Sequence, residues 1–272
     1  MRHGVPVEHE GSIWQVDVWN QMSQLYVREV DRRFAPVVEG VINRASPHPG
    51  ECVLDLGTGT GAAALRAAVL VGATGTVVGI DISDGMLRNA VAMAATLGLE
   101  NVEFRDGGAE LIPADDGIFD VVVASLSLMY VIDRTAAARE IARALRPRGR
   151  FVAAAWADPQ SCDIVLFQQA AGRYAPAPPV PDVGPGAMAD VRPFLAQLAG
   201  AGIDASVETE VLGFDFDDFE SAWSVLASVT AAQLAPERRE EAKTAVRRLM
   251  WPRGDGPRHF RNTTQFIIGS RR

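Results

Sequence analysis

The residues best suited to chemistry stand together in Asp55-Leu56-Gly57-Thr58-Gly59-Thr60-Gly61-Ala62. Glycines at such spacing let the backbone turn tightly and approach a ligand. A helix beginning behind the turn favours an anionic group at its N-terminus. Two patterns fit. Gly57, Gly59 and Ala62 satisfy the G-x-G-x-x-A of a dinucleotide site, whereas Gly57, Gly59 and Gly61 satisfy G-x-G-x-G. Asp81, further on, suits a ribose diol under either pattern. Asp55 separates the two, because a carboxylate at the mouth of the site repels a pyrophosphate and attracts an ammonium group.

These residues need a strand before them and a helix behind them. Residues 52–56 read as a buried strand stopped by Gly57, and 61–71 as an Ala- and Leu-rich helix stopped by Gly72. A second strand is predicted at 76–80. Ser83 can cap the next helix, in which Met86, Leu87, Ala90, Val91, Ala94 and Leu97 follow helical spacing up to Gly98. Further strands are predicted at 101–105, 119–125 and 151–156, with a helix over 135–145 ended by Pro147 and Gly149. Continuous apolar strands alternating with helices imply a parallel sheet covered on both faces. Right-handed crossovers make it doubly wound. Beyond Trp156 the texture changes. Residues 175–186 are a Pro/Gly-rich loop, 191–199 a helix and 206–216 a strand. Residues 220–250 read as two helices split near Pro236, and 263–269 as a last strand. The ligand that fits Asp55, the glycine turn and Asp81 together is S-adenosylmethionine (SAM), with an amino-acid end and a ribose. A nicotinamide dinucleotide is the competing reading.

Composition bounds the rest. The 272 residues are 48% hydrophobic and 22% charged, which suits a globular chain with a sizeable core. The net charge is −8 and the pI near 5.1, against a nucleic-acid partner, which needs a basic face. Cys52 and Cys162 make neither a disulfide framework nor a metal site; Cys52, opening an apolar run, reads as a buried structural thiol. No run is long enough for a membrane span. Residues 1–11 carry Glu8 and Glu10 and lack the apolar stretch of a secretion signal, so a cytoplasmic setting is expected.

The ordered motifs resemble the class I SAM-dependent methyltransferases. They are Val53-Leu-Asp-Leu-Gly-Thr-Gly-Thr-Gly61; Val78-Gly-Ile-Asp81-Ile-Ser83 followed by Met86; Ala109-Glu-Leu-Ile-Pro113; Phe119-Asp-Val-Val-Val-Ala-Ser125; and Leu145-Arg-Pro-Arg-Gly-Arg-Phe151. The likeness is strongest to the small-molecule branch related to quinone-biosynthesis enzymes. Trp19-Asn-Gln-Met-Ser-Gln-Leu-Tyr26 is similar to that branch's lid segment. The resemblance implies a Rossmann-like seven-stranded α/β sheet with an antiparallel closing strand and a helical cap. It implies one domain over 1–272: lid segment 1–27, SAM-binding core 28–156, cap 158–203 and 217–250, closing strands 205–216 and 262–270. It places Gly57, Thr58 and Gly59 at the methionine end with Asp55 and Tyr26, Asp81 on the ribose, and Ile82 and Met86 beside the adenine. Gly108, Ala109 and Glu110 would flank the adenine amino group, and Ser125 and Leu126 would face the sulfonium. The family usually carries Asp where this chain has Gly108; Asp106, two residues earlier, is the candidate substitute.

Methyl transfer from a sulfonium needs alignment and exclusion of water more than a strong catalytic group. The Asp/Asn-Pro-Pro-aromatic tetrad of nucleic-acid amino methyltransferases is absent. Ala124-Ser-Leu-Ser-Leu-Met-Tyr130 stands there instead and suits a small, largely hydrophobic acceptor. Candidate catalytic groups are His9, His259 and Tyr130, the last as an orienting phenol. His3 and His48 read as structural or solvated. Arg238, Arg239, Arg247 and Arg248 read as a solvated helix face, and Arg253, Arg258 and Arg261 as surface charge or an anion contact. The expected activity is methylation of a small molecule, at oxygen first and carbon or nitrogen next, with secondary metabolism as the expected setting. A SAM-bound protein catalysing a cyclisation and a NAD(P)-dependent oxidoreductase are the alternatives, and a homodimer is left open.

Overall fold

Apolar runs punctuated by glycine become the strands of one sheet. A computed structural model describes residues 10–272. β1 (Cys52–Leu56) lies between β2 (Thr76–Asp81) and β4 (Phe119–Ser125), and β3 (Val102–Asp106) extends the sheet beyond β2, all parallel. β5 (Leu145–Trp156) pairs parallel with β4. β7 (Arg258–Arg271) pairs antiparallel with both β5 and β6 (Ile203–Phe216). The order is β3-β2-β1-β4-β5-β7-β6, a seven-stranded mixed sheet. Val53, Leu54, Leu56, Val121, Val122, Val123, Phe151 and Val152 are buried, as strands covered on both faces must be.

The helices begin and end where the sequence offers caps. α3 (Ala62–Val71) follows Gly61, and α4 (Asp84–Leu97) starts at Ser83, whose hydroxyl accepts from the Met86 amide; Gly98 closes it in the left-handed conformation. In α5 (Arg134–Ala144) the Asp133 carboxylate caps the amides of Thr135 and Ala136. Right-handed crossovers put α3 and α4 on one face of the sheet and α5 on the other. Ahead of the sheet run α1 (Glu10–Leu25), a π-helical turn (Tyr26–Val30) and α2 (Asp31–Ala45), which packs against α3 and over β4 and β5.

Several boundaries differ from the sequence reading. Pro147 and Gly149 do not end the fifth helix; α5 stops at Ala144 and the chain turns straight into β5, with a register shift between Phe119 and Val121 absorbing the irregular stretch. The closing strands are longer than 206–216 and 263–269 because they pair with each other along their whole length. The span 217–250 holds three helices, α8 (Phe219–Leu226), α9 (Ser228–Ala232) and α10 (Pro236–Met250), rather than two. An unforeseen helix, α6 (Asp163–Gly172), precedes α7 (Arg192–Gly200). Cys52 is half-buried, its Sγ 2.7 Å from Thr76 Oγ1; Cys162 is the buried thiol, and burial pushes its pKa up to about 12.

No helix among the described residues is long and apolar enough to cross a membrane, and among them no His, Cys, Asp and Glu cluster suits a metal.

At Gly40 in α2 a side chain is excluded. An added Cβ would lie 2.5 Å from the Phe266 ring of β7, whose centroid also sits 3.9 Å from the Arg44 guanidinium. Alanine raises helix propensity by about 1 kcal/mol, but overpacking costs about 1–3 kcal/mol. Gly40→Ala is therefore expected to lower the urea midpoint, and Phe266→Leu in the same chain to restore part of it. A more stable single variant would contradict this packing.

Candidate active site

The order β2-β1-β4 reverses the winding direction at β1, and ligands in doubly wound sheets bind at the strand ends beside such a point. There a cavity of about 210 Å³ opens over the carboxyl ends of β1, β2 and β4.

The glycine turn is built around Asp55. Its carboxylate, 1% exposed, accepts from Thr58 Oγ1 at 2.7 Å and from the Ala64 amide at 3.0 Å, both through Oδ2. Oδ1 is equally buried and has no partner within the protein. Burial raises the carboxyl pKa to about 6. Gly57 turns at φ +65°, and a Cβ there would run into the Ser127 side chain, whose hydroxyl donates to the Leu56 carbonyl at 2.6 Å. Only glycine meets both demands.

Asp81 ends β2. Its Oδ2 accepts from the Gly59 amide and its Oδ1 from the Ser83 amide, each at 2.9 Å, so it binds the glycine turn to the start of α4. Burial raises its pKa too, against those hydrogen bonds. Ile82, Met86, Gly108, Ala109 and Glu110 line the same cavity, as do Thr58, Ser125 and Tyr26. Asp106 does not: it is exposed at the end of β3 and outside the lining, so it is no substitute for the carboxylate lost at position 108. Glu110 fills that space instead. Its Oε1 accepts from the Ile132 amide at 3.1 Å, and its Oε2 stands 3.3 Å from where a Cβ on Gly108 would be.

Asp31 was not foreseen. It opens α2 and reaches the cavity wall, where Thr60 Oγ1 donates to it at 2.8 Å; burial raises its pKa. No local motif marks it, because it arrives through the packing of α2. Leu126, just past β4, holds φ +57°, a strained conformation for a leucine and one that recurs at functional sites.

Tyr130 takes its place on the cavity wall. Its ring meets Trp19 edge-on at 4.8 Å, and Gln15 donates to its carbonyl at 2.8 Å. Burial drives the pKa of Tyr130, and of Tyr26, well above the ordinary phenol value. Both stay protonated and serve as donors rather than bases. Trp19, Tyr26, Phe34, Leu126 and Tyr130 also line a second cavity of about 600 Å³ under α1, α6 and α9.

The histidine candidates do not join the site. His259 is exposed on β7, its Nδ1 2.7 Å from Asp215, and lines neither cavity, because β7 carries it to the far end of the β6–β7 pair. His9 lies outside the described residues. His48 is exposed, and Arg258 pairs with Asp163 on the surface side of β7.

A parallel sheet of this order, closed by an antiparallel β7 and carrying a glycine turn after β1, is the class I methyltransferase architecture. Residues 47–171 match the family model described as "Methyltransferase domain". The chain is 38% identical over 186 residues to nocamycin O-methyltransferase of Saccharothrix syringae, covering 68% of this chain and 64% of that protein. It is 33% identical over 144 residues to the ubiquinone/menaquinone biosynthesis C-methyltransferase UbiE of Escherichia coli O1:K1 / APEC, covering 53% and 55%. The match thus spans less than two thirds of those relatives' own length. Among solved structures, YcgJ from Bacillus subtilis superposes with a TM-score of 0.64 at 21% identity, over 87% of this chain and 98% of that one. Geranyl diphosphate C-methyltransferase from Streptomyces coelicolor A3(2) gives 0.60 at 14%, over 98% and 100%. These two likenesses carry the fold alone. The matched region is homologous to methyltransferases, and the sheet that carries it has the class I architecture.

Asp55 supplies a pH test of the site. Its folded pKa, about 6, lies above the ordinary value of 3.8, so its charge destabilises the ligand-free fold. That contribution favours folding below about pH 4 and is lost as pH rises through 6. Asp55→Asn keeps an acceptor for Thr58 and Ala64 without the charge. Urea denaturation should show the variant gaining on wild type by up to about 3 kcal/mol between pH 4 and 7.5. An unchanged difference across that range would reject the burial argument.

Proposed function

We propose that the protein binds SAM in the smaller cavity and transfers its methyl group to a small, uncharged acceptor in the larger one. The observation that carries this reading is the charge of the smaller cavity. Asp31, Asp55, Asp81 and Glu110 line it, and among the described residues no Lys, Arg or His does. Such a wall suits a cationic ligand and opposes a pyrophosphate. The NAD(P) alternative therefore loses its support.

The residues present fit the cofactor. The unpartnered Oδ1 of Asp55, with Asp31 nearby in the lining, would take the ammonium group. The amides of the 57–59 turn would face the carboxylate. Asp81, with lone pairs to spare beyond its two amide donors, would take the ribose hydroxyls. Ile82 and Met86 would pack on the adenine, with Glu110 Oε2 standing in for the family's Asp at position 108. Tyr26 and Ser125 would border the methionine and sulfonium.

SAM supplies a methyl group on a sulfonium, open to in-line displacement by an acceptor lone pair or carbanion. The protein's task is alignment. Tyr26, Trp19, Phe34, Leu126 and Tyr130 lie where the two cavities meet, and they can exclude water and hold the acceptor against the cofactor. Among the described residues no carboxylate or imidazole lines the larger cavity, so with respect to those residues an acceptor loses its proton to solvent or arrives with a reactive lone pair. Tyr130 orients it. Oxygen is the first choice of acceptor atom, since one relative is an O-methyltransferase; carbon follows, as in UbiE. A diphosphate acceptor, like that of the Streptomyces structure, would meet Arg173 alone as a cation among the described lining residues, and that side chain is exposed.

Residues 1–27 act as a lid in this reading, within a single domain whose cap spans 158–203 and 217–250. α1 is pinned over the site by Asn20, whose Oδ1 accepts from Ser83 Oγ and the Gly85 amide, each at 2.8 Å.

Calorimetric titration should show SAM and its demethylated product binding and NAD failing to bind. Asp81→Ala should weaken SAM at least tenfold, and Trp19→Ala should slow formation of S-adenosylhomocysteine in the presence of a responsive acceptor. Tight NAD binding without SAM binding would falsify the reading. Consumption of acceptor with SAM unspent would move it to the non-methylating alternative.

A further inference from the structure

Asp31 is an acid without the usual reason for its place. Acidic residues gather at helix starts because free backbone amides there attract them. α2 has no such start. α1, the π-helical turn and α2 run on as one helix, with Val30 in the right-handed helical conformation and the Asp31 amide donating to the Tyr26 carbonyl. The side chain belongs instead to the wall of the smaller cavity, half-buried beside the glycine turn.

Its charge is only lightly answered. Thr60 Oγ1 lies 2.8 Å from each carboxylate oxygen and brings a single hydrogen to the pair. Among the described residues no backbone amide, Lys, Arg or His joins it. Burial accordingly holds its pKa above the ordinary value, with the Thr60 bond as the one opposing influence. The neighbouring acids differ. Asp55 is buried and takes Thr58 and Ala64, and Asp81 is buried and takes Gly59 and Ser83. Both help to shape the turn. Asp31 is the carboxylate at this end that stays more exposed to the cavity and less engaged by the protein.

The donor and the spent product differ in charge. SAM carries two positive groups, the ammonium and the sulfonium, against one carboxylate. In transfer the acceptor lone pair bonds to the methyl carbon and the C–S bonding pair stays on sulfur. The sulfonium becomes a neutral thioether, and the acceptor proton goes to solvent. S-adenosylhomocysteine is therefore one positive charge poorer than the donor. A wall with an unbalanced carboxylate and no cation attracts it less.

Resting on the SAM reading of the smaller cavity, we propose that Asp31 makes the site prefer the charged donor over its neutral product, so that methyl transfer itself loosens the cofactor. Asp31 takes no proton in this scheme. It sets which form of the cofactor is held, and it keeps product inhibition low.

Three ligands of nearly one shape test this: SAM, S-adenosylhomocysteine, and sinefungin, whose protonated amine stands where SAM has its sulfonium methyl. Each is titrated calorimetrically into the full chain. Wild type should bind SAM and sinefungin at least about tenfold more tightly than S-adenosylhomocysteine. Asp31→Asn keeps an acceptor for Thr60 and should bring the three within about threefold of one another, chiefly by weakening the two charged ligands. Asp31→Ser should do the same, so either folded variant decides the matter. Glu39→Gln removes an equal charge from α2 at a residue that pairs with Arg66 and lines neither cavity; it should leave the ranking unchanged. Wild type that binds S-adenosylhomocysteine as tightly as SAM overturns the proposal without any variant. Sinefungin that binds like S-adenosylhomocysteine also overturns it, since the methyl group rather than the charge is then recognised. A preference that survives in Asp31→Asn or Asp31→Ser removes Asp31 from the role. Failure of all three ligands to bind wild type is the separate outcome that rejects the cofactor reading and this inference with it.

Discussion

One buried carboxylate organises the site. Asp55 sits at the end of a central strand, and its Oδ2 gathers the Thr58 hydroxyl and the Ala64 amide. Those two bonds set the path of the glycine turn and the start of α3. Asp81, one strand over, then takes the Gly59 amide from the same turn. Two acids thus share the work of folding a loop that carries neither charge nor bulk. The charge is retained at a cost, since burial raises both carboxyl groups above their ordinary pKa. A cationic ligand relieves that cost, because it adds an opposite charge where the protein supplies none.

The same logic explains the entry of α1 and α2 into the site. The π-helical turn between them widens the backbone by a residue and lets Tyr26 and Asp31 both face the cavity. α1 is then fastened at two points, by Asn20 on the start of α4 and by Gln15 on Tyr130. Ordering of this segment and formation of the cofactor wall are therefore one event. Under the proposed function, a cationic ligand beside Asp31 and Asp55 would bear on the same wall that Tyr26 and Trp19 help to form.

Much of this was legible in the chain. The strands at 52–56 and 119–125, the cap at Ser83 and the stop at Gly98 follow from local rules, and the structure places them where spacing predicts. Asp55, Asp81 and the glycine turn were legible because short-range geometry fixes their roles. Asp31 was not, since it owes its position to a helix packed on a distant part of the sheet. α6 was missed because a single short helix between a strand and a Pro/Gly-rich loop carries little periodic signal, and α8 and α9 were read as one helix because nothing in the local sequence marks the break between them. Pro147 and Gly149 misled for a related reason: they mark a break in regular structure, and the irregular start of β5 uses them as a bend rather than as a stop. His259 had the right chemistry and the wrong address, which spacing alone cannot detect.

The two cavities divide the physical problem between them. The smaller is acidic and built from strand ends and a tight turn, elements with little freedom to vary. The larger is apolar and built from α1, α6, α9 and the 175–186 loop, which are joined to the sheet mainly by hydrophobic packing. A change in a cap side chain there alters shape without disturbing Asp55 or Asp81, so acceptor choice is free to drift while the donor end is held. Among the described residues, no carboxylate or imidazole of those elements lines the cavity, which fits the same division. When the methyl donor is intrinsically reactive, placement of the acceptor does most of what catalysis requires. A mainly apolar wall shaped by the cap can provide that placement.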